Sequence, residues 1–171
     1  MKIIEMFNSQ RLLFTSAIFT IFMFGVVMFI INPSIDGKDG FGVIGLQLAF
    51  FKEDAINIIS SWGLKGVENF KKYIFTDYLY ALGYSIFFST LIARLIVTKN
   101  RLEYGWLIYM VILAGSFDWL ENTIEIKFLE NPLHFPEELI FFHSIIATWK
   151  WMILPIVLVS IFSLIVGEKE Y

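Results

Sequence analysis

From Leu12 to Ile31 the chain runs twenty residues without a charge, and no other feature narrows its fold as much. A helix of about 20 apolar residues crosses the hydrocarbon layer of a bilayer. In lipid the backbone must satisfy its own polar groups, so such a run folds as a helix. Three more long apolar stretches follow at about 73–97, 101–128 and 136–166. Apolar residues make up 57% of the 171, and 17% charged residues cannot cover that much apolar surface in water. The length allows a single domain. The pattern predicts an all-α fold: one membrane domain over residues 1–171, built as a four-transmembrane-helix bundle with a surface or interfacial segment between helices 1 and 2.

Several classes are excluded. The chain has no Cys, which removes disulfides, thiolate metal sites and dithiol redox chemistry. Its net charge is −3 and its basic residues are scattered, so no electrostatic footprint for nucleic acid exists.

Lys2 and Arg11 precede the first apolar run. A cleaved signal peptide has an apolar core of about 7–15 residues ending in small residues. This run is longer and ends Ile30-Ile31-Asn32-Pro33, so an uncleaved signal-anchor helix is expected. Ser16 and Thr20, four residues apart on it, are placed to bond back to the helix or across to a neighbour. The 32–72 connection opens with a turn-rich stretch at 36–40. Residues 41–51 are apolar but too short to span, which points to an interfacial or re-entrant segment. Asp54 to Trp62 and Lys65 to Lys72 read as short helices along the membrane surface, and the whole connection as a lid. Pro136-Glu137-Glu138 opens the fourth helix, with proline in its first turn and acids at its positive end. Lys2 and Arg11 at the N-terminus, with Arg94, Lys99 and Arg101 between helices 2 and 3, place both termini on the cytoplasmic side.

Polar residues interrupt three of the spans in register. Asp118, Glu121, Asn122 and Glu125 form one stripe of helix 3; Asp77, Tyr80, Ala81, Tyr84 and Phe88 share a face of helix 2; His143, Ala147, Lys150 and Leu154 share a face of helix 4. At 1.5 Å per residue, Asp77 lies about 6 Å below Tyr73, Lys150 about 16 Å below Leu139, and Asp118 within about 9 Å of the outer boundary of a 30 Å core. All fall in the outer half of the membrane, where the flexible Lys150 stem reaches the acids. An unpaired charge facing lipid costs about 2.5–3.5 kcal/mol, so Asp77, Asp118, Glu121 and Lys150 are expected to point inward. Trp149 and Trp151, about 100° to either side of Lys150 on the helical wheel, are expected to wall this site. Ala81, Ser85 and Ser89, spaced by four, allow a close neighbouring helix. Glu125 and Lys127 are expected to be solvated at the helix end, and Trp62, Trp106 and Trp119 to act as interface anchors.

Asp77-x-x-Tyr80 with Gly83-Tyr84, then Asp118-Trp119-Leu120-Glu121-Asn122, then Thr148-Trp149-Lys150-Trp151 resemble a group of small bacterial four-helix membrane proteins. In that group an Asp in helix 2, a D-x-x-E-N in helix 3 and a Lys in helix 4 occur in this order. The resemblance covers about residues 73–155. It implies the fold, the site and a bacterial inner-membrane location, and it carries no activity.

The bland expectation is a buried ion-pair network that fixes helix register. Against it stands a module that binds or moves an amphiphile, such as a lipid, a lipophilic amine or an isoprenoid, or a proton. Its ligand-binding residues are Asp77, Tyr80, Tyr84, Asp118, Glu121, Asn122, His143, Trp149, Lys150 and Trp151. The alternatives are an enzyme using carboxylate acid–base chemistry on a membrane-embedded lipid, and an accessory subunit whose charges face a partner membrane protein. Neither His134 nor His143 follows a Glu by three residues, as di-metal bundles require, and Lys150 repels a cation, so no metal and no cofactor are expected.

Overall fold

A computed structural model describes residues 2–35, 42–132 and 134–167; the turn expected at 36–40, and Phe41, lie outside them. The described residues form helices joined by short turns, with no strand. α1 is Lys2–Phe7 and α2 is Gln10–Gly25, opened by Ser9, whose side chain accepts from the Leu12 N–H at 3.3 Å. The chain continues in wider π-type turns over Val26–Ile31 and a tight turn at Asn32–Ser34, where Pro33 ends it. α3 is Gly42–Gln47, α4 Lys52–Ser61, α5 Gly63–Lys99, α6 Trp106–Glu130 and α7 Glu137–Val166.

Three of these stretches are long and apolar enough to cross a membrane: Gln10–Ile31, Lys52–Lys99 and Glu137–Val166. α6 is not one of them, because its acidic stripe dilutes its apolar character. Its 25 residues are long enough, at about 1.5 Å each, to match its neighbours. The outer faces are apolar: Ile18, Ile21, Phe22, Phe29 and Phe162 are all highly exposed. This is the inverse of a water-soluble surface.

The second span is longer than the sequence pattern indicated. Lys65–Lys72 is no separate surface helix but the start of α5. The chain instead breaks at Gly63, whose φ of +64° favours glycine. At about 55 Å, α5 projects beyond a 30 Å hydrocarbon layer. Its other end is closed by Asn100 in the left-handed conformation (φ 59°), with the Arg101 N–H bonded to the Ile96 carbonyl at 3.0 Å.

α2 packs on α5, α5 on α6 and α6 on α7, while α7 touches α5 to close the group. α2 and α7 make little direct contact, and the short α3 packs against α7 across that gap. At the α5–α6 crossing a Cβ on Gly115 would lie 2.0 Å from Ser85 Oγ, the close approach that the Ala81, Ser85, Ser89 spacing anticipates.

Two apolar clusters cap the bundle. One joins Val43, Leu46, Ala55, Ile59, Phe70, Phe128 and Ile140; the other joins Ile4, Ile92, Ile96, Leu107, Val111, Ile153 and Leu164. Trp62 belongs to the first, 8% exposed and packed on Phe70, rather than anchoring an interface. Lys99 Nζ donates to the Ile165 and Gly167 carbonyls at 3.1 and 2.7 Å, a cation at the negative end of α7. On α5, α6 and α7 alike, the polar residues fall between the two apolar clusters.

Candidate functional site

The polar layer of three helices converges on Lys150. Its ammonium hydrogen-bonds Asp118 Oδ1 at 2.7 Å and forms an ion pair with Glu121 Oε2 at 2.8 Å. It also sits 5.6 Å from the Trp151 ring. Asp118 keeps its second oxygen for the Tyr84 hydroxyl, which donates at 2.9 Å. Asn122 Nδ2 donates to Asp77 Oδ2 at 3.0 Å. Lys150 is the one buried cation among the described residues, against four buried carboxylates: Asp77, Asp118, Glu121 and Glu125. Each is held inward because the stripe spacing on its helix points at the same axis.

The layer has two parts. The front part lines a cavity of about 330 Å³ in the gap between α2 and α7. Tyr73, Asp77, Tyr80, Tyr84, Asp118 and Lys150 form its polar end, and Phe24, Val27, Phe88, Leu154 and Val157 are among its apolar walls. Trp151 lines it too, and its Nε1 donates to Gln47 Oε1 at 3.1 Å, while Ser144 Oγ donates to the Ala49 carbonyl at 3.1 Å. These two bonds fold residues 42–49 against α7 as one wall of the cavity, with Val43, Leu46 and Gln47 buried. Trp149, expected as the second wall, is instead 54% exposed and absent from the lining. A 100° turn from Lys150 on that side leads out of the bundle.

The back part is sealed. Glu121, Asn122, Glu125 and His143 are 0–1% exposed. Glu125, expected at a solvated helix end, lies here because α6 continues to Glu130 and its stripe faces α7. Its Oε1 is 3.3 Å from His143 Nε2, whose ring meets Phe128 edge-on. Glu121 Oε1, Glu125 Oε2 and His143 Nδ1 are buried with no hydrogen-bond partner. Lys127 is exposed and pairs with Glu130 at 3.0 Å. Trp106 and Trp119 are about half exposed, and Trp119 Nε1 donates to the Tyr78 carbonyl at 3.2 Å.

Tyr73 and Gln47 are the residues that sequence reasoning passed over, and Glu125 is one it named but expected at a solvated helix end. Glu125 had a signal, since it is the fourth member of the Asp118 stripe; Gln47 had none, because its partner is 104 residues away. A larger open groove of about 670 Å³ runs beside Ala81, Ser85, Gly115 and Trp119, but no charged residue lines it. Comparison with protein-family models, with curated proteins and with solved structures finds no match to this chain.

Proposed function

We propose that this is a multi-pass membrane protein whose four long helices all span the bilayer, with both termini cytoplasmic, and that it binds an amphiphile in the cavity between α2 and α7. The observation that carries the reading is the cavity itself: an apolar slot closed at one end by charged and hydroxyl groups. Its volume falls in the range of small-molecule sites. A tail would lie along Phe88, Leu154 and Val157, and the head would reach Asp77, Asp118 and the three tyrosines.

The charge balance favours a head that donates hydrogen bonds, an amine above all. Lys150 is engaged by Asp118 and Glu121, and among the described residues no cation lies within ion-pair distance of Asp77. Asp77 is 5% exposed and meets the cavity. A buried carboxylate that meets a cavity with a single amide donor gains most from a cationic partner. An accessory subunit whose charges face a partner is disfavoured, because Asp77 and Lys150 both turn inward.

The test uses full-length protein purified in a neutral detergent, with native mass spectrometry for retained amphiphiles and a thermal-shift titration with a long-chain alkylamine. Wild type should retain a defined species and gain thermal stability from the amine, and Asp77→Asn should lose both. Retention of bulk lipid alone, equal in wild type and Asp77→Asn, would sink the reading.

A further inference from the structure

We infer that Glu121, Glu125 and His143 form a binding site for a divalent transition-metal ion of the zinc class, separate from the cavity and independent of what the cavity binds. Each of the three offers one ligand atom, and these atoms lie within 4.8 Å of one another. One imidazole nitrogen with two carboxylate oxygens suits Zn²⁺, which often takes three protein ligands and leaves a fourth position open. The imidazole argues against Mg²⁺ and Ca²⁺, which prefer all-oxygen sites.

The geometry fits an ion better than it fits the hydrogen bond it replaces. His143 Nε2 and Glu125 Oε1 are 3.3 Å apart, long for a hydrogen bond to a carboxylate. Two ligands held at about 2.0–2.2 Å on a tetrahedral ion stand about 3.3–3.5 Å apart, so this pair already has the right separation. Bringing in the widest pair needs a movement of about 1 Å, within reach of a glutamate side chain turning about its own bonds.

The second observation is the pair of orphaned carboxylate oxygens. Glu121 Oε1 and Glu125 Oε2 both lack a partner on fully buried side chains, and an ion held by Glu121 Oε1 and by both oxygens of Glu125 takes up the two; His143 ligates through Nε2, so its Nδ1 does not meet the ion. Buried polar atoms in native proteins are overwhelmingly satisfied, so two orphaned carboxylate oxygens in one buried cluster call for a ligand. Lys150 does not block the site. It holds Glu121 by Oε2, leaving Oε1 for the ion, so one carboxylate bridges the two cations. The sequence pattern hid the site because its ligands lie at i and i+4 of α6 and on another helix, not in a Glu-x-x-His pair.

The test is a Zn²⁺ titration of chelator-treated, full-length protein in detergent against a chromophoric competitor, with metal content measured after desalting. Wild type should bind one equivalent, which excess Mg²⁺ does not displace, and Co²⁺ should give the visible absorption of a nitrogen–oxygen site. Glu125→Gln and His143→Gln, chosen to keep side-chain size, should each weaken Zn²⁺ at least tenfold while retaining wild-type helicity and elution volume. The exposed acids Glu53, Asp54 and Glu137 form the competing surface cluster. The triple variant Glu53→Gln, Asp54→Asn, Glu137→Gln should bind as wild type does. Wild type that takes up no stoichiometric Zn²⁺ overturns the inference. So does binding that survives the folded Glu125→Gln and His143→Gln variants, or that disappears with the surface triple. If both glutamine variants fail to fold, Co²⁺ absorption of the wild type that is featureless or all-oxygen in character overturns it.

Discussion

Replacing Lys150 with Met keeps an unbranched side chain of similar length and deletes only the ammonium. Two carboxylates lose their cation, and they do not lose it equally. Asp118 retains the Tyr84 hydroxyl at 2.9 Å, whereas neither oxygen of Glu121 has a hydrogen-bond donor. Removing one partner of a buried pair costs about 3–5 kcal/mol. For a chain of this size each kcal/mol moves the midpoint by about 2–4 °C, so Lys150→Met should unfold about 6–20 °C lower. Because Glu121 is the worse orphan, Glu121→Gln in the Lys150→Met background should recover about 1–3 kcal/mol, and Asp118→Asn distinctly less. The assay is thermal unfolding in detergent followed by far-UV circular dichroism, with both single carboxamide variants measured to complete the two cycles. If Lys150→Met melts with wild type, or if both double variants are simply additive, the buried pairing contributes nothing to stability and the reasoning fails.

Asn122→Leu removes the donor that holds Asp77 at 3.0 Å and should lower stability by about 1–3 kcal/mol, read from the same melts. Gly66→Ala would place a Cβ 2.6 Å from Trp62 Cβ, an atom that cannot turn aside. A loss of about 1–3 kcal/mol is expected, and an unchanged midpoint would refute the tight α4–α5 junction. Gln47→Ala removes the acceptor for Trp151 Nε1 and should speed amide hydrogen exchange across 42–49 while leaving α5 unaffected. Unchanged exchange there would show that other contacts hold the segment down.

The membrane class and the inward stripes were legible because they depend only on periodicity within one helix. Asp118, Glu121 and Asn122 needed nothing more than i, i+3, i+4 spacing, and Lys150 needed only the cost of a charge in lipid. The failures arose where a second element decides the outcome. Trp149 and Trp151 flank Lys150 symmetrically in sequence, yet α3 packs against one side of α7 alone, so one indole is a cavity wall and the other faces outward. Glu125 and Trp62 were misplaced because α6 runs on to Glu130 and because Gly63, not the charged residues after it, breaks the chain. Neither the reach of a helix past its apolar core nor the direction of a fold-back across 104 residues is encoded in local spacing.

A register-fixing device needs one cation and one carboxylate, since a single buried pair already penalises every other alignment of two helices. This bundle instead places four buried carboxylates around one ammonium. An excess of that kind is costly in a low-dielectric interior, and stability alone gives no reason to keep it. The surplus is also partitioned. Asp77 meets the cavity, and Glu121 and Glu125 lie fully buried with His143, while Asp118 and Lys150 stand between the two groups. The amine proposed for the cavity and the divalent ion proposed at Glu121, Glu125 and His143 would each meet carboxylates that Lys150 alone does not match. If both proposals hold, the two ligands account for acids that a register-fixing ion pair leaves without a role.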